Sequence, residues 1–135
     1  MPKKVIIYCD GGSRGNPGPS ATGIVIKDEK GNVLEAYGEF LGKQTNNFAE
    51  YSAVISGFKK AHALGANEVV CYVDSMLVER QLNKQWKVKH PSMQKLFVQS
   101  WNAMQEFNKV TIKHTMREGN KEADAEVNKV LDKHM

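Results

Sequence analysis

A chain of 135 residues with 41% hydrophobic and 25% charged side chains has the size and composition of one globular domain that needs no disulfide or metal staple to fold. The 19 basic and 15 acidic residues give a formal net charge of +4, a balance that favours an anionic partner such as nucleic acid over a neutral one. No apolar run nears the roughly 20 residues of a bilayer span, and Met1-Pro2-Lys3-Lys4 leads into an apolar run too short for a signal peptide, so the expectation is a cytoplasmic, monomeric protein with no membrane role.

Val5 to Cys9 is a short apolar run that reads as a buried central strand. It stops at Asp10-Gly11-Gly12, and the glycines and prolines from Ser13 to Pro19 predict a loop. Gly23 to Ile26 is a second strand, Gly31-Asn32 a turn, and Val33 to Leu41 a third strand. Thr45-Asn46-Asn47 opens a helix in which Phe48, Tyr51, Ile55, Phe58 and His62 recur at spacings of three and four, and Gly65 ends it. Glu68 to Val73 is a fourth strand, and a short helix runs from about Ser75 to Leu82. Pro91 opens a longer helix with Met93, Leu96, Phe97, Trp101 and Met104 as its apolar stripe. Val110 to His114 is the last strand, and Lys121 to about Lys133 a closing helix with Ala123, Val127, Val130 and Leu131 inward. Cys9 and Cys71 lie in apolar runs without metal-ligand spacing and read as buried thiols of a reducing compartment.

Three consecutive strands make an antiparallel meander. Strands separated by helices return through crossovers and run parallel to the first. The fold class is therefore α/β, a mixed five-stranded sheet with three antiparallel and then two parallel strands and helices on both faces, in a single domain over residues 1–135.

Asp10 and Asp74 each fall at the carboxyl end of a strand, where open α/β sheets place their ligand sites. If those strands are parallel neighbours, both carboxylates leave one edge and repel each other unless a cation lies between them. Glu50 is expected in the first turn of its helix and Asp124 in the first turn of the last, where it shares a face with Val127 and Leu131. Each acid also has a local reading: Asp10 as a turn residue, Asn47 and Glu50 as a variant capping box, Asp74 as an N-cap, Asp124 as a complement to a helix dipole. Capping alone does not require four acids on one side of one sheet.

The segment D-G-G-S-R-G-N-P-G-P (Asp10 to Pro19) resembles the opening signature of type 1 ribonucleases H. T-N-N-F-A-E-Y (Thr45 to Tyr51), Val73-Asp74-Ser75 and R-E-G-N-K-E-A-D (Arg117 to Asp124) resemble the second, third and fourth motifs of that family, in order and across nearly the whole chain. The resemblance implies the ribonuclease H-like fold and an endonuclease that cuts the RNA strand of RNA–DNA hybrids, leaving 5′-phosphate and 3′-hydroxyl ends. It implies a catalytic and metal-binding set of Asp10, Glu50, Asp74 and Asp124 for two Mg²⁺ ions with substrate bound, with Mn²⁺ able to substitute. Gly11 and Gly12 match the loop that lets backbone approach the RNA, Asn16, Asn46 and Asn47 match the segments that contact the hybrid and its 2′-hydroxyls, and Thr45 matches a position near a DNA-strand phosphate.

Many members carry a histidine in the loop before the last acid. Here His114 and Arg117 are the candidates; Arg117 heads a pattern resembling a subgroup in which arginine takes that place, and it is favoured as the catalytic partner. An arginine stays charged at neutral pH, so its role is to hold a phosphate or move the product rather than to shuttle protons. The basic helix that some members insert after the third acid has no room here. Arg80, Lys84, Lys87, Lys89 and Lys95 run without an intervening acid around Trp86, which reads as a reduced DNA-strand surface or as a solvated face. Met76 stands where members often have a polar residue, and Glu126 where they have an apolar one. The competing readings are a related nuclease acting on another duplex such as double-stranded RNA, a non-catalytic binding module, and a domain of a larger protein; Met1 lying close to the first strand favours a free-standing protein.

Overall fold

The central strand β1 (Lys4–Ser13) alternates in burial, with Val5, Ile7 and Cys9 wholly enclosed. In the computed structural model, which describes residues 3–134, it is flanked by β2 (Gly18–Asp28) and β4 (Glu68–Val73). The reading that rests on Met1 and Pro2 lies outside the described residues. β3 (Val33–Gln44) pairs with β2 and β5 (Lys109–His114) with β4, giving the order β3-β2-β1-β4-β5. The first three strands are antiparallel; β4 runs parallel to β1 and β5 parallel to β4. The fold is the expected five-stranded mixed sheet.

Helix α1 (Asn46–Ala63) lies on one face. Its Ala53, Val54, Phe58 and Ala61 join Ile7, Cys9 and Ile24 in the main core. α3 (Pro91–Met104) packs on α1, and the short α2 (Met76–Leu82) covers β5. On the opposite face α4 (Lys121–Lys133) sets Val127 and Leu131 against Ala21. Two helix–sheet contacts are closer than a side chain permits: a Cβ at Gly11 would lie 2.2 Å from the Ala49 carbonyl carbon, and one at Gly23 would lie 2.0 Å from the Ala123 carbonyl oxygen.

Several local readings change. The predicted loop from Ser13 to Pro19 shrinks, because the β1–β2 ladder continues through Ser13↔Ser20. Ladder hydrogen bonds need only backbone, so the pairing outlasts the apolar pattern that marks it in sequence. The remaining turn holds Gly15 at φ 92 and a cis Asn16–Pro17 bond, with Arg14 N–H donating to the Pro19 carbonyl at 2.9 Å. Thr45 rather than Asn47 caps α1, accepting from Phe48 N–H at 3.2 Å, so Glu50 falls in the second turn. Ser75 rather than Asp74 caps α2, accepting from Val78 N–H at 3.2 Å. His62 leaves the apolar stripe of α1 for solvent, where it faces Glu106 at 3.8 Å. Of the α3 stripe only Leu96 is fully buried.

Candidate active site

Cys9 of β1 is in register with Val73 of β4, so Asp10 and Asp74, the next residues on two parallel neighbours, leave the sheet side by side. α1 brings Glu50 to them because Gly11 lets the backbone at Ala49 press against β1. One carboxylate oxygen from each of Asp10, Glu50 and Asp74 lies within 4.8 Å of the other two. Asp124, from the first turn of α4, lines the same pocket, together with Gly11, Gly12, Asn46, His114 and Arg117.

Asp10 is only 6% exposed and Glu50 9%. Burial pushes the Asp10 carboxyl up to about 8, reinforced by the Asp74 charge and by the hydrogen bond that the protonated Asp10 donates to the Asp124 carboxylate. Burial likewise drives Glu50 well above the usual carboxylate range, and the charges of Asp74 and Asp10 add to it. Asp74 is raised by burial, while the Arg117 guanidinium and a hydrogen bond from Asn120 oppose the rise. Among the described residues, Glu50 Oε2 and Asn120 Oδ1 are the buried side-chain oxygens without a partner. Three crowded carboxyls and a buried oxygen facing no donor are a poor arrangement for an empty protein and a good one for a divalent cation. The donors are hard oxygens with no thiolate or imidazole among the three, the set that suits Mg²⁺ or Mn²⁺. The residues present therefore fit a metal centre.

The other predicted contacts divide between two places. Asn16, Thr45 and Asn47 line a separate hollow with His90, Ser92 and Met93. Trp86 is 46% exposed and lies away from the acids, in a groove with Lys84, Lys87 and Phe97. Arg80 is less available than its sequence neighbourhood suggests, because it pairs with the buried Glu79 at 2.8 Å. Only one short helix lies between Asp74 and Pro91, so the inserted basic helix is absent as expected.

Sequence reasoning passed over Asn120 as a site residue, although it stands in the fourth motif. Its Nδ2 donates to the Cys9 carbonyl at 2.8 Å, directly before Asp10. Asn46 has a structural role as well: its Oδ1 accepts from Ser13 N–H at 2.9 Å and its own N–H donates to Asn16 Oδ1 at 3.0 Å. These bonds clamp the β1–β2 turn to the start of α1. His90 and Ser92 gave no sequence signal beyond the start of a helix.

Residues 8–130 match the family model described as reverse transcriptase-like. Ribonuclease HI of Halobacterium salinarum is 37% identical over 96% of this chain and 65% of its own length, and its crystal structure superposes with a TM-score of 0.94, covering 98% of the crystallised chain. The bifunctional protein Rv2228c of Mycobacterium tuberculosis is 41% identical over 96% of this chain, which spans only 36% of that protein. Its N-terminal ribonuclease H domain superposes at a TM-score of 0.91, with 93% of this chain and 97% of that one covered. LC11-RNase H1, isolated from compost by a metagenomic approach, is 39% identical, has a TM-score of 0.91 over 96% of this chain and 98% of its own, and has been crystallised in complex with an RNA/DNA hybrid. Motif order, strand-end acids and these relatives agree: the chain belongs to the ribonuclease H family.

Proposed function

We propose that this chain, as a single domain over residues 1–135, is a metal-dependent endonuclease that hydrolyses the RNA strand of RNA–DNA hybrids. The observation that carries the reading is the convergence of Asp10, Glu50 and Asp74 within 4.8 Å, with Glu50 Oε2 buried and unpartnered. The crystallised complex of LC11-RNase H1 with an RNA/DNA hybrid supports the substrate. Among the described residues no helix is long and apolar enough to cross a membrane, and Cys9 and Cys71 are free and buried. The proposal is a monomer working in the cytoplasm, a compartment that keeps such thiols reduced.

Asp10, Glu50, Asp74 and Asp124 would hold two Mg²⁺ ions, or Mn²⁺ in their place, when substrate is bound. Such ions supply a water of lowered pKa and neutralise charge on a leaving oxygen. Asp10 comes from β1 and Glu50 from α1, and their burial keeps bulk water from competing for the same oxygens. Arg117, which lines the pocket and whose charge already bears on Asp74, would hold a phosphate of the RNA strand rather than move a proton. Gly11 and Gly12 line the pocket along which the backbone of that strand would run. Asn16, Thr45 and Asn47, with His90 and Ser92 opposite, offer amide and hydroxyl donors to a phosphate or a 2′-hydroxyl. Lys84, Lys87 and Trp86 line a further groove with the charge and aromatic surface that suit the DNA strand. The products would carry 5′-phosphate and 3′-hydroxyl ends.

The test is cleavage of end-labelled hybrid, double-stranded RNA and double-stranded DNA by the purified protein with Mg²⁺, Mn²⁺ or chelator. Hybrid cut only with added metal, and not by Asp10→Asn, is the expected result. Preferred cutting of double-stranded DNA, or hybrid binding without cleavage at any metal concentration, would overturn the proposal.

A further inference from the structure

Asp124, Asn128 and Asp132 follow one another at four-residue intervals along α4 and form one row on its surface. Asn128 Nδ2 donates to Asp124 Oδ2 at 3.3 Å and to the Asp124 carbonyl oxygen at 3.2 Å. Its Oδ1 accepts from Arg14 Nη2 at 3.3 Å. The same Arg14 nitrogen lies 2.6 Å from Asp132 Oδ1. An amide has one donating end and one accepting end, so a carboxylate on one side and a guanidinium on the other fix its orientation.

Arg14 belongs to the turn between β1 and β2. That turn is tied on its other side to the start of α1, through Asn46 and the N–H of Ser13. It therefore bridges the two helices that bring Glu50 and Asp124 to the pocket. Asp124 is the one acid of the four outside the tight triad, and it rides on a helix packed against the opposite face of the sheet from α1. Asp124 is partly buried, and its carboxylate accepts from Asn128.

We propose that Arg14 and Asn128 are positioning residues, which hold the Asp124 carboxylate toward Asp10 and link its placement to the glycine-rich turn. The inference rests on the hydrolase reading and deepens it. The segment that meets the substrate backbone and the contact that directs the fourth acid are then one unit. Seating the nucleic acid against Gly11, Gly12 and Asn16 and completing the acid set become a single event.

The test compares Arg14→Ala, Asn128→Ala, the double variant and Arg14→Lys in steady-state cleavage of a hybrid, alongside the ion-free protein by nuclear magnetic resonance. Each single alanine variant should lose about tenfold in kcat, with KM within about twofold, since a misdirected group costs rate more than binding. The double variant should be no slower than the slower single variant, because both act through one contact. Arg14→Lys should fall between wild type and Arg14→Ala, keeping the charge but not the planar guanidinium whose Nη2 reaches both Asn128 and Asp132. In the ion-free protein, Arg14→Ala should shift the side-chain amide resonances of Asn128 and the carboxyl carbon of Asp124. Losses that multiply in the double variant, losses confined to KM, or unmoved Asn128 and Asp124 resonances each overturn the inference. If the unaltered protein cuts no hybrid yet the resonances move, the hydrolase reading falls, and the catalytic role assigned here falls with it.

Discussion

The side-chain amide of Asn120 donates to the carbonyl oxygen of Cys9 at 2.8 Å, joining residues 111 positions apart beneath the acid pocket. Asn120 is 1% exposed, so the carbonyl it satisfies has no water to fall back on. Asn120→Ala should cost about 1–3 kcal/mol in urea unfolding, the penalty for one buried polar group left without a partner. It should also lower cleavage, since the bond fixes the backbone that carries Asp10. An unchanged unfolding midpoint would show the bond to be idle.

Asp10 gives a pH prediction. Its carboxyl rises from 3.8 to about 8 in the folded, ion-free protein. Between those values the folded state holds a proton that the unfolded state has released, so stability falls as pH rises from about 4 to about 8. In chelator the melting temperature should decline across this window, and Asp10→Asn should flatten the decline while abolishing cleavage. Added Mg²⁺ should stabilise the wild type more at pH 8 than at pH 5, because binding requires the ionised acids. A melting temperature independent of pH in chelator would contradict the crowded, buried carboxyl.

Gly11 tests the approach of α1. A Cβ there would lie 2.2 Å from the Ala49 carbonyl carbon, next to Glu50 in the chain. Gly11→Ala should destabilise by about 1–3 kcal/mol, as overpacking does. Forcing the helix outward should separate Glu50 from Asp10 and depress activity beyond what the lost stability explains. Gly31, with open space around its Cβ position but φ 88, is the control: Gly31→Ala should disturb the turn and leave cleavage intact.

The groove of Lys84, Lys87 and Trp86 should act on binding alone. Lys84→Ala with Lys87→Ala should raise KM for the hybrid and flatten its salt dependence by up to about two phosphate contacts, leaving kcat unchanged. Trp86→Ala should weaken binding by about 1–3 kcal/mol if a base or sugar stacks on it. Equal KM values at low and moderate salt would remove the groove from the substrate path.

The sheet and its helices were legible because their signals are periodic: the three-and-four spacing of Tyr51, Ile55 and Phe58 and the apolar runs at Val5 and Val69 mark one buried face each. The acids could be read because strand ends and helix starts are places that sequence patterns locate. The β1–β2 ladder beyond Asp10 was misread, since glycines and prolines signal a turn even where the backbone still pairs. The caps went to Thr45 and Ser75 rather than to Asn47 and Asp74, and the second, a shift of one residue, leaves Asp74 free for the site. Asn120, Asn128 and His90 stayed hidden as site residues because their partners are 111, 114 and dozens of positions away, and a polar side chain in a helix or cap carries no periodic mark.

The hydrogen bond from Asn120 to β1 sets an order of assembly during synthesis. Asn120, just before α4, and Asp124, within it, follow every strand of the sheet in the chain. A growing chain that has already paired β1 with β4 still lacks the fourth acid and the brace under Asp10. The wall of the pocket formed by Asp124, Val127, Asn128 and Leu131 is therefore translated after the rest of its lining.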